Sequence, residues 1–286
     1  MNKSWPTPAT ILIVSLALGS VSHPASGAEQ APPKNPTAGC QRSAFHVVVD
    51  VGHTADVPGA DSARGVPEYV FNLQLAGAVT NALIGAGFDN TVRLITAAAP
   101  WRGLVERAAR ANTMHADLFI SIHHDSVPDK LIETWEYDGQ PHQFSDRFSG
   151  YSIFISNENG DRKGSLAFGH LLGKALQALG LHYTPHYTLP LMGKHRHELL
   201  DAGAGVYRYD QLIVLRKTRM PAVLLEAGSI VNRPEELEMA TPERRSTISE
   251  AITSAVTEFC NSRARPPIAE APTKKPPRIE PAALAH

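Results

Sequence analysis

The chain has 286 residues, 43% of them hydrophobic, with 27 basic and 28 acidic side chains and a net charge of −1. That length suits one domain of ordinary size with tails, and the apolar share is enough for a substantial core. Balanced charge excludes the basic footprint of a nucleic-acid binder and offers no charged block for a membrane surface.

Residues 1–28 have the build of a secretory signal peptide. Lys3 makes the positive start, residues 10–21 an apolar core, and Ala25, Ser26, Gly27 and Ala28 a stretch of small residues for cleavage. The apolar run is well short of the roughly 20 residues of a spanning helix. The expectation is an exported protein with no stable membrane anchor after cleavage, acting in the periplasm. Residues 29–39 (EQAPPKNPTAG) read as a linker and residues 264–286, rich in proline and alanine, as a disordered tail. The remainder, 40–263, is one domain. Cys40 and Cys260 bracket it. In an oxidising compartment they can form a disulfide, and two unpaired thiols are the other reading.

Inside the domain, apolar strand patterns alternate with helical ones. Phe45 to Val51 is a β-branched run of the kind a buried parallel strand requires. Pro67 at a first helical position opens a helix to about Gly85, with Phe71, Leu75, Val79 and Leu83 recurring at a spacing of four. A strand follows at 92–95, a helix at about 101–115 and a strand at 118–122. Another strand is expected at 151–156, a helix at 165–179 ended by Gly180, a buried strand at 222–226 and a last helix at 246–259. This alternation predicts an α/β fold, a three-layer sandwich with a mainly parallel central sheet and helices on both faces. Residues 125–149 and 181–206 fall outside the rhythm as long connections, the kind that shape the rim of a site.

Four residues stand where strands end or helices begin: His53, Glu68, His123 and Glu226. Such positions present side chains to ligands outside the carboxyl ends of the strands. Taken singly, each has an ordinary explanation. A loop histidine is commonplace, Glu68 suits a helix N-terminus, and His123 can be a core residue. Glu226 is the hardest to explain that way, because an uncompensated carboxylate is costly to bury. Together, two histidines and a glutamate can hold a zinc with one position open, and a further glutamate can serve as base. Asp50 is placed to orient the loop or the imidazole of His53, and Asn232 to cap the turn after Glu226.

These pieces resemble the zinc-dependent N-acetylmuramoyl-L-alanine amidases of bacterial cell-wall turnover. The matching motifs are Asp50-Val51-Gly52-His53, Gly65-Val66-Pro67-Glu68 with Asn72, Ser121-Ile122-His123, and Pro221 through Asn232. Arg107 and Ala111-Asn112 fall where the family has the same residue types, and the resemblance covers about 45–260. It implies Zn2+ as cofactor, with His53, Glu68 and His123 as its ligands and Glu226 as the catalytic carboxylate. It also implies peptidoglycan as substrate, cleaved between N-acetylmuramic acid and L-alanine, and raises a protein activator as a partner. A zinc peptidase acting within the stem peptide, and a non-catalytic wall-binding relative, are the alternatives.

The chain departs from the family pattern at Val51, Thr54, Ala55 and Ser229, and at His124 and Asp125 after the ligand histidine. On a continuing strand His124 points away from His123, where it can serve as a substrate hydrogen-bond donor. The interval 157–164 is too short for the long blocking helix of cell-division amidases. The extra length lies in 126–149, with Trp135 and Tyr137, read as a glycan-contacting wall or an alternative gate. His182, His186, His195 and His197 raise a second metal, for which no carboxylate spacing speaks.

Overall fold

The computed structural model describes residues 39–97 and 100–264. The leader, most of the linker and nearly all of the tail expected from the sequence lie outside them.

In chain order the elements are β1 (Val47–Val51), α1 (Glu68–Gly85), β2 (Thr91–Leu94), α2 (Pro100–Thr113), β3 (Leu118–Asp125), β4 (Glu133–Tyr137) and β5 (Gln140–Phe144). They continue as β6 (Ser152–Ile155), α3 (Arg162–Ala178), β7 (Glu198–Asp201), β8 (Val206–Arg208), α4 (Ile213–Lys217), β9 (Ala222–Ser229), α5 (Arg233–Met239) and α6 (Pro242–Ala264). Seven strands form one sheet in the order β2-β1-β3-β9-β6-β8-β7. The β2-β1-β3-β9 half is parallel throughout, β6 runs antiparallel to β9, and β7 runs antiparallel to β8.

Side chains alternate across this sheet, as the two-residue strand period demands. Val47, Val49, Val51, Ile120, Ile122, Val223 and Leu225 face a core shared with Leu75, Val79 and Leu83 of α1, Phe168 and Leu172 of α3, and Ile252, Val256 and Phe259 of α6. Val48, Phe119 and Leu224 face the other way, against Ala111 of α2 and Val214 and Leu215 of α4. The result is the three-layer α/β sandwich that the alternation predicted. Truncating a residue such as Phe119, fully buried between layers, costs about 3–5 kcal/mol by lost burial and cavity formation.

Local differences from the expectation have local causes. Pro67 is not the first helical residue but the extended residue before it (φ −62°, ψ 142°), so α1 starts at Glu68. The strand expected to stop at Ile122 continues to Asp125 through an irregularity opposite β9. The 181–206 connection contains β7 at its end, and the next three-residue strand, β8, follows at once. Between β6 and α3 only a turn is present, as the short interval implied.

The 126–149 insertion divides into two parts. Residues 133–144 form a separate two-stranded hairpin whose Asp138-Gly139 turn has positive φ at both positions, 52° and 70°. That hairpin lies on the loop leading to Glu68: the Trp135 indole donates to the Ala63 carbonyl (2.8 Å), and Arg64 sits 5.3 Å from the rings of both Trp135 and Tyr137. Arg233, at the start of α5, sits 3.8 Å over the Phe144 ring. The hairpin therefore braces a site loop instead of closing over the site, and only residues 126–130 of the insertion border the cleft described below.

At the far edge Cys40 and Cys260 are joined, with Cα atoms 5.2 Å apart, a normal disulfide span.

Candidate metal centre

Because β1, β3 and β9 are parallel, their carboxyl ends lie along one edge of the sheet. His53 follows β1, His123 lies on β3, and Glu226 on β9 is the register partner of His123. Glu68 arrives from the first turn of α1, where the backbone N–H of Glu68 is tied to the Ala60 carbonyl.

Glu68 joins the two histidines. Its Oε2 lies 3.0 Å from His53 Nε2 and its Oε1 3.0 Å from His123 Nδ1. One potential metal-binding atom from each of the three residues lies within 4.8 Å of the others, the one such group among the described residues. The histidines at 182, 186, 195 and 197 form no comparable cluster there. His186 is buried beside Phe148 and Tyr187, and His197 lies against Tyr209.

Backbone details make this convergence possible. His53 itself adopts φ 64°, a left-handed conformation uncommon for a residue with a Cβ, which turns its ring back toward β3. Gly52 is needed for space, since a Cβ there would stand 2.4 Å from His123 Nε2. Arg107, buried in α2, donates to the His53 carbonyl and lies 3.6 Å from Asp50 Oδ2. Asp50 also accepts from the Ser121 hydroxyl (2.7 Å). Asp50 thus acts on the His53 loop through Arg107 and does not touch the imidazole.

Asn72 organises the other side. Its amide donates to Glu68 Oε1 (3.0 Å) and to the Gly52 carbonyl (3.2 Å), leaving its oxygen to accept from His124 Nδ1 (2.7 Å). This fixes the His124 tautomer with its proton on Nδ1. His124 is buried, its ring 5.5 Å from that of Phe71, and burial pushes its pKa down to about 3. Its backbone N–H also donates to Glu68 Oε1. Its Nδ1 is thereby spent on Asn72 and not on an outside group.

The floor of the site carries more carboxylate than its neighbours can neutralise. Burial alone would raise the Glu68 carboxyl, but the hydrogen bonds from His123 and His53 outweigh it and hold the group well below the usual range. Glu226 is pushed far up, by burial first and then by the charges of Asp125 and Glu68. Asp125 is raised to about 7, mainly by burial, although the Tyr187 hydroxyl donates to it at 2.7 Å. Oε2 of Glu226 and Oδ2 of Asp125 are both shut off from solvent without a hydrogen-bond partner. Unpartnered buried carboxylate oxygens are costly, and a divalent cation is the compact way to offset several at once. Two histidine nitrogens and one carboxylate, grouped at His53, His123 and Glu68, are donors of the kind a zinc ion takes with one position open, so the residues present fit that ion.

An open cleft of about 690 Å³ gives access to this floor. Ser126 to Lys130 border it from one loop, and Tyr187 with Met192 to His195 from another. A hollow of similar size, about 670 Å³, lies beside α1 and α6 and carries no histidine. The chemistry belongs to the first.

The family model for N-acetylmuramoyl-L-alanine amidases matches residues 47–258, from the first strand to the last helix. The chain belongs to that amidase family. Among curated relatives of this amidase is the endolysin of Bacillus phage SPP1, 25% identical over 216 residues. That match covers 75% of this chain and 66% of the endolysin. Among solved structures the amidase is similar to Ami1 from Mycobacterium smegmatis (TM-score 0.58, 19% identity), covering 77% of this chain and 98% of that one. It is also similar to the catalytic domain of CwlV from Bacillus (Paenibacillus) polymyxa var. colistinus (TM-score 0.54, 25% identity), covering 75% and 97% respectively.

Sequence reasoning did not single out Tyr187, Lys130, Met192 or Lys194 as part of the amidase cleft. The only signal was the length of the loops that carry them.

Proposed function

We propose that this amidase is zinc-dependent, that His53, Glu68 and His123 hold the metal, and that Glu226 carries the proton in cleavage of the amide between N-acetylmuramic acid and L-alanine of peptidoglycan. The observation that carries the reading is the convergence of the two histidines on the two oxygens of Glu68, with Glu226 in register beside His123. Zinc, when bound, supplies Lewis acidity toward the scissile carbonyl and lowers the pKa of a water.

The remaining work falls to the chain. Glu226 takes the proton of the attacking water and returns it to the departing L-alanine amine, so one carboxylate acts first as base and then as acid. A raised carboxyl pKa suits the acid half of that cycle. Asn72 and the His124 N–H fix Glu68, and Arg107 with Asp50 fixes the loop of His53.

Action outside the cytoplasmic membrane, in a periplasm, is part of the same proposal. The leader-like residues 1–28 and the Cys40–Cys260 disulfide, at home in an oxidising compartment, support it.

Digestion of purified sacculi, with and without a chelator, tests the reading. Expected products are glycan strands free of peptide and intact stem peptides beginning with L-alanine, with no release once zinc is removed. Cleavage within the stem, or full activity in chelator, would overturn it.

A further inference from the structure

Two lysines, Lys130 and Lys194, border the cleft. Among the described residues no lysine side chain forms an ion pair or hydrogen bond, whereas several arginines are paired with carboxylates, as in Arg64–Glu236, Arg233–Asp146 and Arg263–Asp161. What sets Lys130 and Lys194 apart from the other lysines is their shared place on the cleft.

The lysines sit on a built frame. Lys130 belongs to a 3-10 turn at Asp129–Leu131, closed by the hydrogen bonds Leu131 N–H to Pro128 carbonyl and Ile132 N–H to Asp129 carbonyl. Lys194 belongs to the turn Pro190–His195, which is bent at Gly193 (φ 57°, ψ −121°). Val127, Leu131, Tyr187 and Met192 bury together beneath both turns, so the two loops form one wall. They meet at the rim, where Lys130 Nζ is the side-chain atom nearest to Gly193, 3.9 Å from the position of a Cβ there. Asp129 is the one acidic residue on this rim, against Lys130, Lys194 and His195.

We propose that Lys130 and Lys194 form a cationic bracket that holds a free carboxylate of the stem peptide, making this amidase selective for acidic over amidated stems. The inference rests on the peptidoglycan amidase reading above. Its chemistry is simple. A cation held by His53, Glu68 and His123 would offset negative charge on the floor, which leaves the rim amines for an anion delivered by the substrate. The stem offers such groups beyond the scissile amide, on its second residue (a γ-linked D-glutamate) and on a third residue that is a diamino acid with a free carboxylate. An ammonium is a point charge that tolerates variable approach, which suits an extended, flexible peptide.

The test uses the zinc-loaded full chain and three soluble N-acetylmuramoyl tripeptides, each with its C-terminal carboxyl capped as an amide: one with the free carboxylates of the second and third residues both kept, one with that of the second residue amidated, and one with that of the third amidated. Exposed charge pairs are each worth up to about 1 kcal/mol. The double variant Lys130→Gln/Lys194→Gln should therefore raise KM about five- to tenfold on the fully acidic substrate, leave kcat in place, and weaken the salt dependence. The amidation that erases the difference between native and variant identifies the carboxylate held. Equal KM values on all three substrates, or the same loss in the variant on each, would overturn the bracket. Calorimetry with the stem peptides alone separates this from failure of the amidase reading. If the native chain cleaves none of the substrates yet binds acidic peptide more tightly than amidated peptide, and the double variant abolishes the preference, the bracket stands without the amidase assignment. Equal binding in that assay sinks the bracket itself.

Discussion

His123 and Glu226 stand side by side in register on the parallel strands β3 and β9, so the proposed metal ligand and the proposed proton carrier are set by one piece of sheet. Glu226→Gln keeps the shape and removes the charge. It should retain bound zinc and the native melting temperature while hydrolysis of sacculi falls about 10²- to 10⁴-fold, the usual share of a general base. Zinc content by elemental analysis beside the rate separates this from loss of the metal. Near-native activity would remove Glu226 from the mechanism.

Asn72 is a positioning residue with three simultaneous bonds, to Glu68, to the Gly52 carbonyl and to His124. Asn72→Ala should weaken zinc binding about 10- to 100-fold, as is typical when a ligand loses its supporting hydrogen bond. Competition against a chelator of known affinity reads this directly. Asn72→Asp should not rescue, because it places a second carboxylate against Glu68.

Gly52→Ala tests space. The added methyl would stand within 2.6 Å of several atoms of the His123 ring, so the ring must leave its position. The expected outcome is a folded protein, seen by an unchanged circular dichroism spectrum, that loses zinc and activity together. Full zinc retention would show that the ring has another way to reach the metal.

His186 gives an acid-side stability prediction. Burial holds its pKa down at about 4, so the folded state keeps it neutral where the unfolded chain, near the ordinary value of about 6.5, takes up a proton. The stability it contributes is therefore full above pH about 6.5 and is lost as pH falls toward 4. Because Asp125, Glu226 and His124 also titrate over this range, the readout is the difference between native and His186→Gln zinc-free protein in denaturant titrations, in which the native chain should lose more stability on acidification. An unchanged slope in the variant would assign the acid sensitivity to other groups.

The Cys40–Cys260 bond closes nearly the whole domain, 220 residues apart in sequence. Reduction, or Cys40→Ser/Cys260→Ser, should lower stability by about 2–5 kcal/mol. Activity at ambient temperature should persist, because the bond lies at the edge away from the cleft. The melting temperature and the hydrolysis rate, measured on the same sample, check both halves.

What could be read in advance follows the physics of each element. β1, β3 and β9 are buried almost throughout, so their apolar runs are unambiguous, and the polar residues His53, His123 and Glu226 at their ends stand out as candidate site residues. β7 and β8, with ELLD and VYR, are too short and mixed to show a period. The hairpin of β4 and β5 is largely exposed and has no buried face to leave a mark. Its Asp-Gly turn was nonetheless a usable signal, since that pair favours positive φ at both positions. The paired rim lysines were beyond reach from sequence, being 64 residues apart (130 to 194) and joined only through Val127, Leu131, Tyr187 and Met192.

The disulfide also has a mechanical consequence. Since its cysteines lie 5.2 Å apart at the two ends of the domain, tension applied between the flanking segments passes directly through the sulfur atoms. The sheet that aligns His53, His123 and Glu226 is bypassed by that load path. A hydrolase pulled from both ends would keep its active geometry for as long as the one covalent link holds.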